Sequence, residues 1–504
     1  MREVGRCGGE EHGKHSTWRV GRVLPALPAA LVLALGGCAS LERVGVPPLS
    51  NAVPADAPKT LSIDSPASLE AKRLAATFGG EYRAPAAEAY LNDILVKLAQ
   101  ASETPGETVY KVTILNSPVI NAFALPSGNL FVTRGLLALA NDNAEIAAVM
   151  AHEIGHITAR HAYARAEREK EAAVVSQAAT VIQNRQKGEE VEALRKQTLA
   201  GFSRQQELEA DGIGIRVVAR AGYDPYGASR FLTSLGRSTT LRAALVGQKA
   251  SSDKPDMLST HPSTPERVAQ AVAAARQISG PGIGQRDRAG YLAALDGMTF
   301  GDDPADGYAR GRKFVHPRLG FAFVAPEGFV LENSAQALLG IRNGGTEALR
   351  LDSTRVPAET PLETYIGSGW IDGLIQSSVE STTINGLPAV LATARAGEWN
   401  FRLAAIRKGE DVYRLIFAAR ALTSEADGRF KTAINSFRGV APEEASDLKP
   451  LRIALVKAAP GERAEELARK MAIADRPLEH FLLLNGLEAA GPLTAGESYK
   501  TVVE

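Results

Sequence analysis

Val149-Met150-Ala151-His152-Glu153-Ile154-Gly155-His156 is the stretch from which the rest of this chain is read. In a helix, residues four apart lie on one face, so both imidazoles reach a single metal ion while Glu153 comes beside water held there. Zinc suits such a pair, one ion per chain, and it needs a third protein ligand and an open position. A second helical stretch offers Glu207-Leu208-Glu209-Ala210-Asp211. Glu207 and Asp211 share a face, so one can ligate while the other orients a ligand histidine. Spacing alone could equally choose Glu209. The bland alternatives are satisfied structural histidines and a solvated acidic face.

Upstream, apolar residues recur at helical spacing over 69–101, and strand-like runs cover 109–115, 119–125 and 130–133 around a Pro126-Ser127-Gly128-Asn129 turn. A long helical region follows over 136–165, in which Asp142, Asn143 and Glu145 mark a cap or kink. Further helical segments fall at 172–185, 189–221 and 226–235, and His261-Pro262-Ser263-Thr264-Pro265 opens another running to 278. Arg160 and His161 are tempting, but His161, five residues past His156, need not share the ligand face and reads as a structural or supporting group.

These motifs resemble the CAAX prenyl protease-like gluzincin metallopeptidases, most closely their periplasmic outer-membrane assembly branch. The likeness is carried by Asn121-Ala122-Phe123-Ala124-Leu125-Pro126, by Gly128-Asn129-Leu130-Phe131-Val132-Thr133-Arg134-Gly135-Leu136, by the stretch quoted first, by Ser203-Arg204 with Glu207 and Asp211, and by Ser259-Thr260-His261-Pro262. It covers about 65–280 and implies Glu207 as third ligand with His152 and His156, Asp211 as orienter, and Glu153 as general base. His261 would lie in a loop that approaches the zinc, as a latch or as a stabiliser of the transition state. Asn121, Ala122, Phe123 and Ala124 resemble the edge strand that holds an extended substrate through backbone hydrogen bonds. The implied reaction is peptide-bond hydrolysis.

The 504 residues suggest about three domains. With 45% hydrophobic and 23% charged residues, neither a multi-span membrane protein nor a disordered chain fits. Basic and acidic residues balance at 57 each, so no nucleic-acid partner is expected. The two cysteines, Cys7 and Cys38, build no disulfide framework. Lys14, Arg19 and Arg22 precede an apolar run over 23–35, and Leu35-Gly36-Gly37-Cys38 resembles a bacterial lipobox. Residues 1–37 are therefore expected to be a signal peptide and 38–67 a tether. Cys38 would be a lipid anchor in the outer membrane, facing the periplasm.

The expected fold class is α+β. A mainly helical zincin-type protease domain with a small sheet occupies 68–280, followed by a linker at 281–307 and a mixed domain of unknown role at 308–440. Residues 447–504 read as strand, helix, helix, strand and resemble a LysM module, implying peptidoglycan as a partner. The better-known family members carry tetratricopeptide repeats after the protease, whereas 300–440 here looks strand-containing. Three function classes follow: a zinc endopeptidase acting on unfolded or misassembled envelope proteins, a chaperone-like lipoprotein with a closed zinc site, and a cell-wall scaffold.

Overall fold

The computed structural model describes residues 66–166, 202–247, 261, 264–369, 371–441, 443–444 and 448–504. The signal-peptide and lipid-anchor readings, nearly all of the tether and the helix read at 172–185 lie outside them.

The helical stretch at the start is two helices, α1 (Pro66–Thr77) and α2 (Pro85–Ala101). Gly79 and Gly80 separate them with positive φ, and a Cβ on Gly79 would lie 2.4 Å from the Asn116 carbonyl oxygen, so only glycine makes this bend. Three strands follow, β1 (Lys111–Leu115), β2 (Ala122–Ala124) and β3 (Asn129–Thr133), in the order β1-β3-β2. β3 runs parallel to β1 and antiparallel to β2, which leaves β2 at an edge.

The helical region expected at 136–165 is interrupted. α3 (Arg134–Leu139) ends before Asp142, whose carboxylate accepts from the Glu145 backbone N–H at 2.9 Å and so caps α4 (Asn143–Thr158). Glu145 reaches back to accept from the Asn141 N–H at 2.9 Å, one residue ahead of the cap. α4 is buried on nearly every side and forms the axis of the domain. Against it pack α5 (Arg204–Arg220) and α6 (Gly227–Leu245); α7 (Pro265–Ile278) packs on those two, and α8 (Arg288–Leu295) packs on α2. α7 begins at Pro265, capped by Thr264, so His261 stands ahead of the helix.

α4 and α5 approach closely because each presents a glycine to the other's backbone. A Cβ on Gly155 would lie 2.9 Å from the Ala210 oxygen, and one on Gly214 would lie 2.9 Å from the His152 nitrogen. The glycine inside His-Glu-x-Gly-His thus sets the helix separation.

After β4 (Thr299–Phe300), strands β5 (Tyr308–Arg310), β6 (Lys313–His316) and β7 (Phe321–Val324) join β15 (Arg438–Gly439) in a four-stranded sheet. Strands β8 (Val330–Asn333), β9 (Leu338–Arg342), β10 (Glu347–Arg355), β11 (Glu380–Ile384), β12 (Leu387–Ala396), β13 (Trp399–Lys408) and β14 (Asp411–Ala419) make an antiparallel sheet in the order β11-β12-β13-β14-β10-β9-β8. The short α9 (Leu362–Ile366) and α10 (Ser424–Asn435) pack on it. Phe321, Phe323, Phe417, Phe430 and Phe437 fill the core of this region.

The last segment is β16 (Leu451–Lys457), α11 (Ala464–Ala468), α12 (Pro477–Leu484) and β17 (Ser498–Val503). β16 pairs with both β17 and β4. Its apolar residues, among them Ile453, Leu467, Phe481 and Val502, belong to one core with Leu137, Ala147 and Leu292 of the helical domain. Lys500, fully buried, donates from Nζ to the Ala138 and Ala140 carbonyls at 2.6 Å each, tying β17 to the end of α3. Asn485 fixes the Lys500 backbone from both sides, accepting from its N–H at 2.7 Å and donating to its carbonyl at 2.9 Å. The strand-helix-helix-strand order is present, and it is built into the protein rather than hung from it. The whole is a mixed α and β architecture.

Candidate metal centre

α4 carries His152, Glu153 and His156, and α5 carries Glu207 and Asp211. Ser203 caps α5 with a reciprocal Gln206 bond, which starts the helix one turn before Glu207 and fixes which acids face α4. His152, His156, Glu207 and His261 converge so that one donor atom of each lies within 4.8 Å of all the others.

The donor set fits zinc. Ligands bound at about 2.0–2.1 Å in a tetrahedron stand roughly 3.3–3.4 Å apart. Here His152 Nε2 lies 3.0 Å from His156 Nε2 and 3.5 Å from Glu207 Oε2, and His156 Nε2 lies 3.6 Å from Glu207 Oε1. His261 Nδ1 stands 3.3 Å from His152 Nε2 and 2.8 Å from Glu207 Oε1, at the fourth corner. Its Nε2 is 3.6 Å from Glu153 Oε1.

The electrostatics suit ligation. Burial, reinforced by the neighbouring imidazoles of His152, His261 and His161, pushes the His156 pKa far down and keeps the ring in its neutral, ligating form. Burial alone would raise Glu207, but hydrogen bonding to His261 and the charges of His152 and Arg267 bring it below its ordinary value. Asp211 likewise, against the pull of burial, is held well below the carboxylate range by Arg267 and His152. For His261, burial is outweighed by Glu153 and Glu207, which raise it.

Asp211 stands behind His152, its Oδ1 2.9 Å from His152 Nδ1. Asn121, just ahead of the β2 edge, and Phe123 and Ala124 within it line a groove of about 950 Å³ that reaches Glu153, His156 and His261, whereas Ala122 faces a smaller cavity. On the other side of Glu153 and His152 is a cavity of about 70 Å³, walled by Val149, Phe231, Leu232 and Leu235. Glu209, which spacing alone could not reject, turns away from the cluster to His161 Nε2 at 3.4 Å.

Two participants went unread in the sequence. Arg267, only 4% exposed, clamps Asp211 with two nitrogens at 2.8 Å and meets Glu207 Oε2 at 2.9 Å. Its signal was an arginine six residues past His261, at the start of a helix. Phe202 stacks on the His156 ring with centroids 4.0 Å apart. Nothing in its local sequence marks it.

Comparison with known proteins agrees with this geometry. Residues 85–275 match the family described as Peptidase family M48. The chain is 32% identical over 214 residues to the Beta-barrel assembly-enhancing protease of Escherichia coli (strain K12), covering 40% of this chain and 42% of that protein. It is 35% identical over 159 residues to the Mitochondrial metalloendopeptidase OMA1 of Arabidopsis thaliana, covering 31% of this chain and 30% of that protein. The chain thus spans less than two-thirds of the length of these relatives. Among solved structures, the solution structure of cyanobacterial PsbP (CyanoP) from Synechocystis sp. PCC 6803 matches at 14% identity over 28% of this chain and 98% of that one, with a TM-score of 0.22, too low to bear on the fold. The resemblance read from the motifs agrees with this match, in which residues 85–275 are similar to Peptidase family M48.

Proposed function

We propose that this chain is a zinc-dependent endopeptidase of the bacterial cell envelope that cleaves misfolded or misassembled exported proteins. The observation that carries the reading is the convergence of His152, His156 and Glu207 with Glu153 beside them. Zinc held by those three ligands would acidify water and polarise the scissile carbonyl. Glu153, on the same helix, is placed to accept a proton from water and return it to the leaving amine. Among the described residues no strand pairs with the outer side of β2, and that edge could bond the backbone of an extended polypeptide, a recognition mode largely independent of side chains and suited to unfolded clients. Asp211 and Arg267 hold His152 and Glu207 so that the ligands are already arranged before metal arrives.

The envelope assignment is supported by the signal-like N-terminus and by the likeness to a protease named for β-barrel assembly. Lipid attachment at Cys38, outer-membrane anchoring toward the periplasm, and peptidoglycan contact through 447–504 belong to the same proposal. Among the described residues no helix is long and apolar enough to cross a membrane.

A second reading is favoured by His261, which stands among the ligands 2.8 Å from Glu207. A site closed in this way suits a lipoprotein that holds clients on its edge strand without cutting them.

The test compares zinc content and cleavage of casein by the mature protein, Glu153→Gln and His261→Ala. Zinc near one per chain, with cleavage lost in Glu153→Gln, is expected. Cleavage that rises in His261→Ala makes His261 a latch. Zinc bound without cleavage in any form transfers the case to the client-holding reading.

A further inference from the structure

We propose that His161 and Glu209 form a relay that positions His156 and so governs how tightly the metal is held. The inference rests on the zinc reading above and concerns residues which that reading does not use.

The two ligand histidines of α4 point their Nε2 atoms at each other across 3.0 Å, which leaves each Nδ1 facing outward. A neutral imidazole has one donor and one acceptor, so a ring that ligates through Nε2 carries its proton on Nδ1. A ligating histidine ordinarily donates that proton to a carboxylate or carbonyl, which fixes the ring and raises its basicity. Behind His152 Nδ1 stands the Asp211 carboxylate at 2.9 Å. Behind His156 Nδ1 there is instead the Nδ1 of His161, also at 2.9 Å.

The proton positions then follow. His156 Nδ1–H donates to His161 Nδ1, so the His161 proton sits on Nε2, and that nitrogen faces Glu209 Oε2 at 3.4 Å. His161 is an intermediary that passes the influence of the Glu209 charge to His156. His161 is 3% exposed, whereas the Glu209 side chain is 53% exposed, so the inner link is sheltered and the outer one is open to water. The outer link should therefore weigh less.

The backbone supplies an independent sign. On an unbroken helix, a residue five past His156 would point to another face. Arg160 adopts φ of 54°, a left-handed conformation costly for a non-glycine residue, and the chain turns there so that His161 comes back beside His156. Arg160 is half of the reason that His161 can touch a ligand at all.

The experiment titrates the full, metal-stripped chain with zinc against a chromophoric chelator, alongside His161→Leu, His161→Asn and Glu209→Ala. Leucine removes the acceptor, and zinc affinity should fall about 10- to 100-fold. Asparagine keeps an oxygen near the Nδ1 position, and affinity should return to within a few-fold of wild type. Glu209→Ala should weaken binding only a few-fold. Should His161→Leu prove unfolded by circular dichroism, the comparison of His161→Asn with Glu209→Ala decides. Asparagine binding more than 10-fold weaker than wild type overturns the relay, because packing rather than an acceptor would then be what His161 supplies. Zinc held equally by wild type and His161→Leu also overturns it while leaving the peptidase reading intact. No zinc bound by wild type overturns both.

Discussion

Arg267 and Asp211 form a two-pronged ion pair inside the protein, with guanidinium Nε and Nη2 each 2.8 Å from a different carboxylate oxygen. The remaining terminal nitrogen, Nη1, lies 2.9 Å from Glu207 Oε2, so one side chain from α7 locks both Glu207 and Asp211 of α5. Replacing Arg267 with Met leaves two buried carboxylates with reduced compensation, and unfolding free energy should drop by about 3–5 kcal/mol. Arg267→Lys should recover less than half of this, since an ammonium cannot reproduce the fork. Denaturant unfolding of the metal-free proteins measures both.

The same pair predicts a pH signature. Asp211 and Glu207 titrate below their ordinary values of 3.8 and 4.5, so the unfolded chain binds more protons in that window and their contribution is lost as pH falls through it. Without Arg267, the bonds to His261 and His152 still hold the two acids down, but the part that the guanidinium contributes, largest at Asp211, is gone. The stability gap between wild type and Arg267→Met should be widest near neutral pH and shrink below about pH 4. A gap that stays constant from pH 7 to pH 3 would show that Arg267 acts by packing alone.

Helix separation gives a third prediction. Gly214→Ala places a methyl 2.9 Å from the His152 backbone nitrogen, so α4 and α5 must part. Stability should fall by about 1–2 kcal/mol once improved helix propensity is allowed for, and zinc affinity should fall with it. Gly212, two residues earlier on α5, meets nothing closer than 3.6 Å, and Gly212→Ala should instead gain up to about 1 kcal/mol. Equal effects at the two positions would remove the close crossing as the cause.

How much of this could be read beforehand depended on periodicity. His152 and His156, or Glu207 and Asp211, lie four apart on single helices, and 3.6 residues per turn brings each pair to one face. Within the stretch read as strand-containing, the apolar-rich runs Phe321-Ala322-Phe323-Val324 and Tyr413-Arg414-Leu415-Ile416-Phe417 form β7 and part of β14. Local pattern could not choose between Glu207 and Glu209, because the choice depends on where α4 lies. Nor could it break the helical stretch 136–165 with certainty, although Asp142 marked the place where α4 is capped. Arg267 and Lys500 were illegible for a stronger reason. Each acts across a fold whose long-range packing no single helix or strand encodes.

The apolar cavity beside Glu153 sets a fourth expectation. At about 70 Å³, with Val149, Phe231, Leu232 and Leu235 around it, it accommodates an aliphatic side chain next to the scissile bond. Leu235→Trp should fill it and lower kcat/KM on peptides bearing Leu at that position by about 10-fold or more, a cost of the order of one or two methylene groups of lost burial. Peptides bearing Gly or Ala there should be far less affected. A uniform loss across the series would mean that the cavity does not receive substrate.

The final segment offers a fifth test. Phe481 is fully buried in the core shared with the helical domain, and Phe481→Ala should cost about 3–5 kcal/mol. The decisive readout is zinc retention by chains ending at residue 440. If 451–503 were a separate appendage, such chains would keep their zinc. The shared core predicts that they lose it and aggregate.

Lys500 meets carbonyls that precede it by 362 and 360 residues. A polypeptide synthesised from its N-terminus therefore contains His152, Glu153 and His156 long before the strand that closes their hydrophobic support is made. Contacts of such long range are slow to form. The last strand acts as a clock: the helix that carries His152 and His156 gains its full footing only once nearly the whole chain has been made.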